Sequence, residues 1–251
     1  MIKKIIGAMY NRTKAYLLLF KNIRGIKANI LDASMTVDEL INKKKSLIRL
    51  GDGEFAFLYN RGISYQKFEP RIKEGILELI TSYNDNLNYL LCVPKYYFEC
   101  PTYKLIKKFD TVMAWTKPRV LFKKYFNLNN TYGDAFVFGK ENKNIYDKFF
   151  KSLSPYNVIF VHYDEKYAKI FEERYNKKVD YVKIPSKDSF SVVDNIFEKV
   201  EKIVGSDKLK FVVLISAGPM AKILAKRLSD AEIWTVDTGH CWDAPLHIGG
   251  V

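Results

Sequence analysis

The second half of the chain alternates short apolar segments with amphipathic ones, and this alternation constrains the fold more than any other feature. Four segments rich in Val, Ile and aromatic residues are predicted strands: 157–161, 181–184, 210–215 and 232–236. Three segments between them have helical periodicity: 165–175, 190–204 and 219–228. Strands that are apolar on both faces and alternate with helices predict an α/β fold with a mostly parallel sheet flanked by helices.

The first half contains the same kinds of element at wider spacing. Residues 46–50 and 88–93 are predicted strands and residues 71–82 a helix, whereas the aromatic stretch 94–150 is predicted to be irregular. No internal repeat or low-complexity linker divides the chain. We therefore expect one domain over 36–251, preceded by a basic helical segment over 1–35.

The N-terminal segment is basic and amphipathic. Seven basic residues and no acidic residue precede Asp32, and apolar residues interleave with them at roughly helical spacing. Such a helix is typical of proteins that lie on an anionic membrane surface, and the alternative is a helix packed on the main domain with its lysines in water. No apolar run in this segment reaches the length of a signal-peptide core or a membrane span.

The composition excludes several classes of protein. The 17 Tyr and 17 Phe residues exclude a disordered chain, since burial of so much apolar surface offsets the entropy of ordering. The three cysteines form no Cys-x-x-Cys pair and the three histidines are dispersed, which disfavours a disulfide framework and a closed zinc site. We expect a reduced, cytoplasmic protein, with peripheral contact at the inner face of the plasma membrane if the N-terminal helix binds lipid. The formal net charge of +13 attracts anions: nucleic acid, acidic lipid headgroups or phosphorylated small molecules.

The loop after the strand 46–50 carries two carboxylates, in the sequence Arg49-Leu50-Gly51-Asp52-Gly53-Glu54. In an extended segment Asp52 and Glu54 point to the same side and converge, and Gly51 and Gly53 permit close approach of a ligand. Two carboxylates suit Mg²⁺ or Mn²⁺ shared with a diphosphate. Arg49 adds positive charge beside that diphosphate or pairs with a neighbouring acid. The alternative is a hairpin turn, for which Asp-Gly between apolar residues is a strong signal.

A second loop connects the strand 210–215 to the next helix. Ser216 and Gly218 precede Pro219, which suits the first turn of a helix, and the free N–H groups of such a terminus bind phosphate. The alternative is an ordinary strand–helix connection. Asp237 follows Gly218 at a spacing near that of a ribose-binding acid in Rossmann enzymes, so a methyltransferase or a dehydrogenase is also considered.

Further candidate residues follow other predicted strands. Asp237 and His240 end the last strand, where ligands bind in open parallel sheets, although a lone histidine is also typical of a hydrogen-bonded structural position. Asp134 is a candidate base or a turn cap. Lys187 follows the strand 181–184, where it meets phosphate or lies in a solvated loop.

Five ordered motifs occur along the chain: SLIRLGDGEF, YGDAFVF, IPSKDSF, LISAGPMAKILAKRL and WTVDTGH. Together they resemble the GT-D glycosyltransferases, a bacterial family with an Asp-x-Glu motif, over about 36–240. The resemblance implies a Rossmann-like enzyme that transfers a hexose from UDP-glucose or a related UDP-hexose, with Mn²⁺ or Mg²⁺. It implies metal and nucleotide-sugar roles for Asp52 and Glu54, and acceptors that belong to bacterial surface glycans or glycosylated adhesins.

These inferences predict three sets of site residues. The predicted catalytic residues are Asp52, Glu54, Asp134, Asp237 and His240. The predicted donor-binding residues are Arg49, Gly51, Gly53, Lys187, Ser216, Gly218 and Pro219. The predicted metal ligands are Asp52, Glu54 and His240. The expected partners are a nucleotide-sugar donor and a glycan, glycoprotein or lipid-linked acceptor. Nucleic acid is not expected, because the basic residues are widely spread and form no recognisable binding motif.

Overall fold

The computed structural model describes residues 10, 12–18 and 24–244. Within these residues, eight strands form one all-parallel sheet: β1 Asn29–Ile30, β2 Ser46–Arg49, β3 Tyr89–Val93, β4 Thr131–Asp134, β5 Asn157–His162, β6 Val179–Lys183, β7 Phe211–Ile215 and β8 Thr235–Asp237. Their order across the sheet is β1-β4-β3-β2-β8-β7-β5-β6. The predicted α/β fold with a parallel sheet is confirmed.

Helices from both halves of the chain cover the sheet. They are α1 Ala33–Asn42, α2 Asp52–Leu58, α3 Pro70–Ser82, α4 Lys95–Glu99, α5 Thr102–Leu105, α6 Phe109–Tyr125, α7 Lys143–Ser152, α8 Lys166–Tyr175, α9 Val193–Val204 and α10 Pro219–Asp230. Alternate residues of each strand point to opposite faces, so Ile48 and Leu91 enter one hydrophobic core whereas Leu47 and Leu90 enter the other. A sheet buried on both faces explains why its strands are apolar throughout.

The strand order places a crevice near the middle of the sheet. The chain leaves β2 for β3, toward one edge, and leaves β5 for β6, toward the opposite edge. Strands β8 and β7 lie between these diverging connections. Because ligands of open α/β sheets bind beyond the carboxyl ends of the strands where connections diverge, this topology puts the candidate site above β2, β8 and β7.

The prediction that 94–150 is irregular is wrong. Helices α4 to α7 and strand β4 lie in this stretch. Helix α6 has no single apolar face, and Pro118 lies inside it, so neither helical periodicity nor proline placement reveals it. Aromatic contacts hold this helix against the rest of the protein instead. The ring centroids of Phe122 and Phe98, for example, are 4.7 Å apart.

Residues on the N-terminal side of the predicted boundary at residue 35 contact the main domain. Strand β1 pairs with β4, and Ile26 is buried in the core. The guanidinium of Arg119 on α6 donates to the carbonyl oxygens of Arg24, Phe98 and Cys100 at 3.3, 3.4 and 3.1 Å. Residues from 24 onward are therefore part of the domain.

Much of the predicted membrane helix lies outside the described residues, namely 1–9, 11 and 19–23. Residues 12–18 are helical, with Ala15 buried and Leu17 exposed. None of the helices in the described part of the chain combines the length and the hydrophobicity that a bilayer span requires.

Candidate active site

A cavity of about 600 Å³ opens at the carboxyl ends of the strands. Most of the predicted site residues line it: Arg49, Gly51, Asp52, Gly53, Glu54, Lys187, Ser216, Gly218 and His240. The loops after β2, β4, β5, β6, β7 and β8 all contribute to its walls. Residues that are distant in the chain therefore converge because the parallel strands end at one edge.

The Asp52-Gly53-Glu54 motif begins a helix. Gly51 precedes α2 in an extended conformation, and its N–H donates to Oε2 of Glu54 at 2.7 Å. The prediction that this segment is extended is therefore wrong. Asp52 and Glu54 lie about 200° apart around the helix axis, although both line the cavity. Asp52 is exposed to the solvent of the cavity, whereas Glu54 is only 6% exposed. The alternative hairpin does not form either.

A buried lysine connects Glu54 to the end of β8. Nζ of Lys222, on α10, lies 3.2 Å from Oε1 of Glu54 and 3.0 Å from Oδ2 of Asp237. The same ammonium donates to the carbonyl oxygen of Gly218 at 3.1 Å. Lys222 is 5% exposed and Asp237 is fully buried. Three elements therefore meet at one ammonium beneath the cavity.

Arg49 completes this buried cluster. Its Nε donates to the carbonyl oxygen of Asp237 at 2.8 Å, and one terminal nitrogen donates to that of Ala135 at 2.8 Å. The other terminal nitrogen lies 3.6 Å from Oδ1 of Asp237. Gly239 has a φ of +50°, and a Cβ there would lie 1.5 Å from this guanidinium. The motif Asp237-Thr238-Gly239 needs its glycine because Arg49 occupies the space of a side chain.

The cluster favours the charged forms of Asp237 and Lys222. Burial opposes the ionised form of Asp237, but the Lys222 and Arg49 charges lower the pKa of this carboxyl below its ordinary value. Burial likewise opposes the charge of Lys222, but Asp237 and Glu54 raise its pKa. For Asp52, desolvation by the surrounding protein and then the charge of Glu54 raise the pKa. Two cations and two carboxylates thus balance below the cavity, and Asp52 adds a carboxylate that faces it.

The loop before α10 forms another wall. Gly218 has a φ of +55°, and a Cβ there would lie 2.7 Å from the ring of Tyr65. The hydroxyls of Ser216 and Thr238 are 2.9 Å apart, and that of Ser189 donates to the carbonyl oxygen of Ala217 at 3.1 Å. Pro219 is the first residue of α10, as predicted, and is buried. The N-terminus of this helix, which is the positive end of the helix dipole, therefore lies beside the cavity.

Three further polar side chains line the cavity: His240, Asp243 and Lys187. Nδ1 of His240 is 3.2 Å from Oδ1 of Asp243, and the His240 side chain is 43% exposed. Burial opposes the charge of Asp243, but the hydrogen bond to His240 lowers the pKa of this carboxyl. Lys187 is exposed at the rim. His240 is thus oriented by a carboxylate while its ring remains accessible from the cavity.

Asp134 is not among the residues that line this cavity. It lines a second cavity of about 670 Å³, together with Lys95, Glu99 and Asn142. Burial raises the pKa of Asp134 to about 6, against the hydrogen bond that one of its oxygens accepts from the N–H of Phe136 at 3.0 Å. The structure therefore separates Asp134 from the other predicted catalytic residues.

The sequence analysis missed Lys222, Tyr65 and Asp243. A signal for Lys222 exists, since this lysine lies among apolar residues in the first turns of α10, where a buried cation needs acidic partners. No pattern marks Tyr65. The main-chain oxygen of Tyr65 accepts from the N–H of Asp188 at 2.8 Å, a contact between distant loops that places its ring on the cavity wall.

The residues present fit a cation that is shared with a substrate. The described residues contain no group of three or more His, Cys, Asp or Glu side chains that could hold a metal ion. Asp52 nevertheless presents a carboxylate to the cavity, and Mg²⁺ is commonly bound by one or two carboxylates together with substrate phosphates. The assignments of Glu54 and His240 as metal ligands stay predictions.

The comparison with protein families decides the identity of the fold. The family model described as "Glycosyltransferase GT-D fold" matches residues 47–244, which is most of the chain. The chain belongs to the GT-D glycosyltransferase family. The resemblance of its motifs to this family is confirmed, and the match favours neither a Rossmann methyltransferase or dehydrogenase nor a nucleic-acid-binding protein.

Known proteins are similar to this GT-D chain in sequence or in fold. "Probable glycosyl transferase Gly" of Streptococcus gordonii is 20% identical over 229 residues, which are 84% of this chain and 32% of that protein. The chain thus spans about a third of the length of this relative. A structure described as "The highly conserved domain of unknown function 1792 has a distinct glycosyltransferase fold" is 17% identical with a TM-score of 0.74, over 91% of this chain and 83% of that one.

A further solved structure, "A New Glycosyltransferase (DUF1792) from Streptococcus sanguinis", is 21% identical with a TM-score of 0.71. It covers 86% of this chain and 82% of its own. Both likenesses concern the fold, and they agree with the parallel sheet described above.

Proposed function

We propose that this GT-D protein transfers a hexose, with glucose as the first candidate, from a UDP-sugar to a glycan acceptor with the help of Mn²⁺ or Mg²⁺. The observation that carries the proposal is the cavity itself, where the Asp52 carboxylate and the N-terminus of α10 lie on the walls of one space. A carboxylate that attracts a cation and a helix terminus that attracts phosphate together suit a metal-bound nucleoside diphosphate.

The donor-binding role falls to three parts of the cavity. The N–H groups at the start of α10 bind the diphosphate, and the loop Ser216–Gly218 leaves room for it because its glycine lacks a side chain. Asp52 holds the cation, which when bound supplies charge stabilisation to the departing diphosphate. Lys187 at the rim adds positive charge near the same phosphates.

His240 is the proposed base toward the acceptor hydroxyl. Its ring is accessible from the cavity, and Asp243 holds Nδ1 so that Nε2 is left to take a proton. Asp237 does not suit this role, because Lys222 and Arg49 enclose its buried carboxylate. Asp134 lines the other cavity, so its predicted role as a base loses support.

We propose a glycan, glycoprotein or lipid-linked acceptor of bacterial surface glycosylation, handled in the cytoplasm at the inner face of the plasma membrane. The name of the S. gordonii relative, a probable glycosyl transferase, supports the reaction class.

A panel of UDP-sugars tests the proposal, each incubated with the full chain with and without Mn²⁺ and assayed for released UDP and for the free or transferred sugar. We expect turnover of at least one UDP-hexose that chelation by EDTA abolishes. The Asp52→Asn variant should fold normally and lose on the order of a hundredfold or more of the metal-dependent turnover, since the amide keeps size but removes the ligand charge. Turnover that is unaffected by EDTA and by this substitution would contradict the proposed cation role.

A further inference from the structure

We propose that the two carboxylates of Asp52-x-Glu54 have different roles: Asp52 alone faces the cation, and Glu54 is a positioning residue that joins Lys222. This inference rests on the proposed function for the role of Asp52. The role of Glu54 stands on contacts that do not depend on any ligand.

Both oxygens of Glu54 already have partners. Oε2 accepts from the N–H of Gly51 at 2.7 Å, and Oε1 lies 3.2 Å from Nζ of Lys222. The Glu54 side chain lines the cavity but is only 6% exposed, so both of its oxygens are engaged in a poorly solvated place. A cation that took Oε1 as a ligand would have to displace a buried ammonium.

Displacing that ammonium is costly, because Lys222 has no other place for its charge. Its three N–H groups have three acceptors within 3.2 Å: Oε1 of Glu54, Oδ2 of Asp237 and the carbonyl oxygen of Gly218. Removal of one partner from a buried ion pair leaves an uncompensated charge in a poorly solvated place. The same three contacts show that Lys222 is unsuited to donate to a phosphate directly.

The geometry gives the pair a positioning function. Glu54 belongs to the first turn of α2, the turn that also carries Asp52, and Lys222 belongs to α10, whose N-terminus begins at Gly218. The pair therefore fixes the distance between the carboxylate that faces the cation and the helix end that faces the phosphates. Asp237, at the end of β8, anchors the same ammonium to the sheet.

The pair predicts a coupled loss of stability. We expect Glu54→Gln and Lys222→Met each to lower the thermal unfolding midpoint by about 6 °C or more, as breaking one side of a buried pair does. The double variant should be no less stable than the worse single variant, since the second substitution removes the charge that the first left unpaired. Asp52→Asn, the matched control in the same turn, should stay within about 2 °C of the wild type because its carboxylate is exposed.

Ligand binding separates positioning from metal ligation. With UDP present, the affinity for Mn²⁺, measured from the electron paramagnetic resonance signal of the free ion, should fall tenfold or more in Asp52→Asn and less than threefold in Glu54→Gln. Affinity for UDP in the presence of EDTA, measured by calorimetry below the unfolding temperature, should fall several-fold in Glu54→Gln. In Asp52→Asn this metal-free affinity should not fall, because the substitution removes a negative charge beside the diphosphate. A residue that only stabilised the fold would not change this metal-free affinity.

Each outcome decides the proposal. Equal losses of Mn²⁺ affinity in the two variants, or additive losses of stability in the double variant, would overturn it. If Glu54→Gln does not fold while Asp52→Asn does, the structural role of Glu54 is supported, since removal of a ligand from an empty cation site does not prevent folding. If the wild type binds neither UDP nor Mn²⁺, the proposed function fails, and the stability of the double variant still tests the Glu54–Lys222 pair.

Discussion

At the scale of single residues, three carboxylates near the cavity show how surroundings assign roles to one chemical group. Asp237 is buried against two cations and stays charged as part of the floor. Glu54 is buried against Lys222 and the first turn of its own helix. Asp52 is open to the cavity. Asp52 is the one exposed member of these three, although all three lie at or just beyond the end of a strand.

Asp134 provides a prediction about pH at this scale. Its pKa is raised by burial to about 6 from an ordinary value of 3.8, so the folded protein holds a proton that the unfolded chain has lost between these pH values. The free energy of unfolding should therefore fall as the pH rises from 4 to 6, by on the order of 3 kcal/mol from this group.

The Asp134→Asn variant, which does not titrate, should lack this part of the decline. Urea unfolding at pH 4, 5, 6 and 7 of both proteins provides the measurement. Parallel pH profiles for the two proteins would show that Asp134 has an ordinary pKa in the folded state.

At the scale of elements, the site is built from two helix N-termini. Helix α2 begins at Gly51 and helix α10 at Gly218, each directly after a strand near the centre of the sheet. The two helices pack on the same face, and the Glu54–Lys222 pair links their first turns. A change in the backbone at the start of either helix should therefore lower the affinity for the donor.

Gly218 offers a test with a matched control. Gly218→Ala forces an L-residue to a φ of +55° and places a Cβ 2.7 Å from the Tyr65 ring, so UDP affinity should fall about tenfold or more. Gly205 has the same φ, with nothing within 4 Å of its added Cβ, and it ends α9 away from the cavity. Gly205→Ala introduces the same backbone strain, but it should bind UDP with the affinity of the wild type.

Calorimetric titration with UDP in the presence of Mn²⁺ distinguishes the two variants, and thermal unfolding confirms that both are folded. Similar UDP affinities in the two variants would remove the Gly218 loop from the donor site.

At the scale of the whole molecule, three positively charged side chains lie near the C-terminal end of α2: Lys14, Arg61 and Lys117. The pKa of Lys117 is lowered mainly by burial and also by the charges of Arg61 and Lys14. Cations from three separate parts of the chain therefore lie close enough to repel one another. Nζ of Lys117 also lies 5.1 Å from the centre of the Tyr59 ring, and Leu17 is 61% exposed. Cations with exposed aromatic and aliphatic side chains suit an anionic membrane surface.

Charge reversal tests this contact. A variant with Lys14→Glu, Arg61→Glu and Lys117→Glu should bind anionic vesicles on the order of a hundredfold more weakly, since each cation near such a surface contributes about 1 kcal/mol. Exposed lysines on other helices provide a control of equal charge change: Lys148→Glu, Lys199→Glu and Lys202→Glu.

Sedimentation with vesicles that contain phosphatidylserine, at low and at physiological salt, provides the measurement. Equal binding by the two triple variants would mean that net charge alone attracts the protein, and equal binding by all three proteins would exclude an electrostatic contact.

The sequence by itself determined the fold class and the two loops of the site. Apolar segments such as 157–161 and 210–215 report burial on both faces locally, and a glycine-rich or proline-started connection reports a strand–helix turn locally. The position of Asp237 and His240 at the ligand end of a strand follows from the same local logic. The elements in the stretch 94–150 were not predicted, because helix α6 has no single apolar face that would give a periodic pattern.

Only the tertiary structure decided which of these residues share a space. Asp52 and Glu54 were expected in an extended segment, but they begin the α2 helix, and Glu54 is paired with a lysine from a helix near the other end of the chain. Asp134 ends a strand as Asp237 does, yet β4 lies three strands from β8, so it opens into another cavity. The spacing of residues along a chain predicts local geometry. Which charges pair, and which residues line one cavity, depends on the order of strands in the sheet, and a short motif does not contain that order.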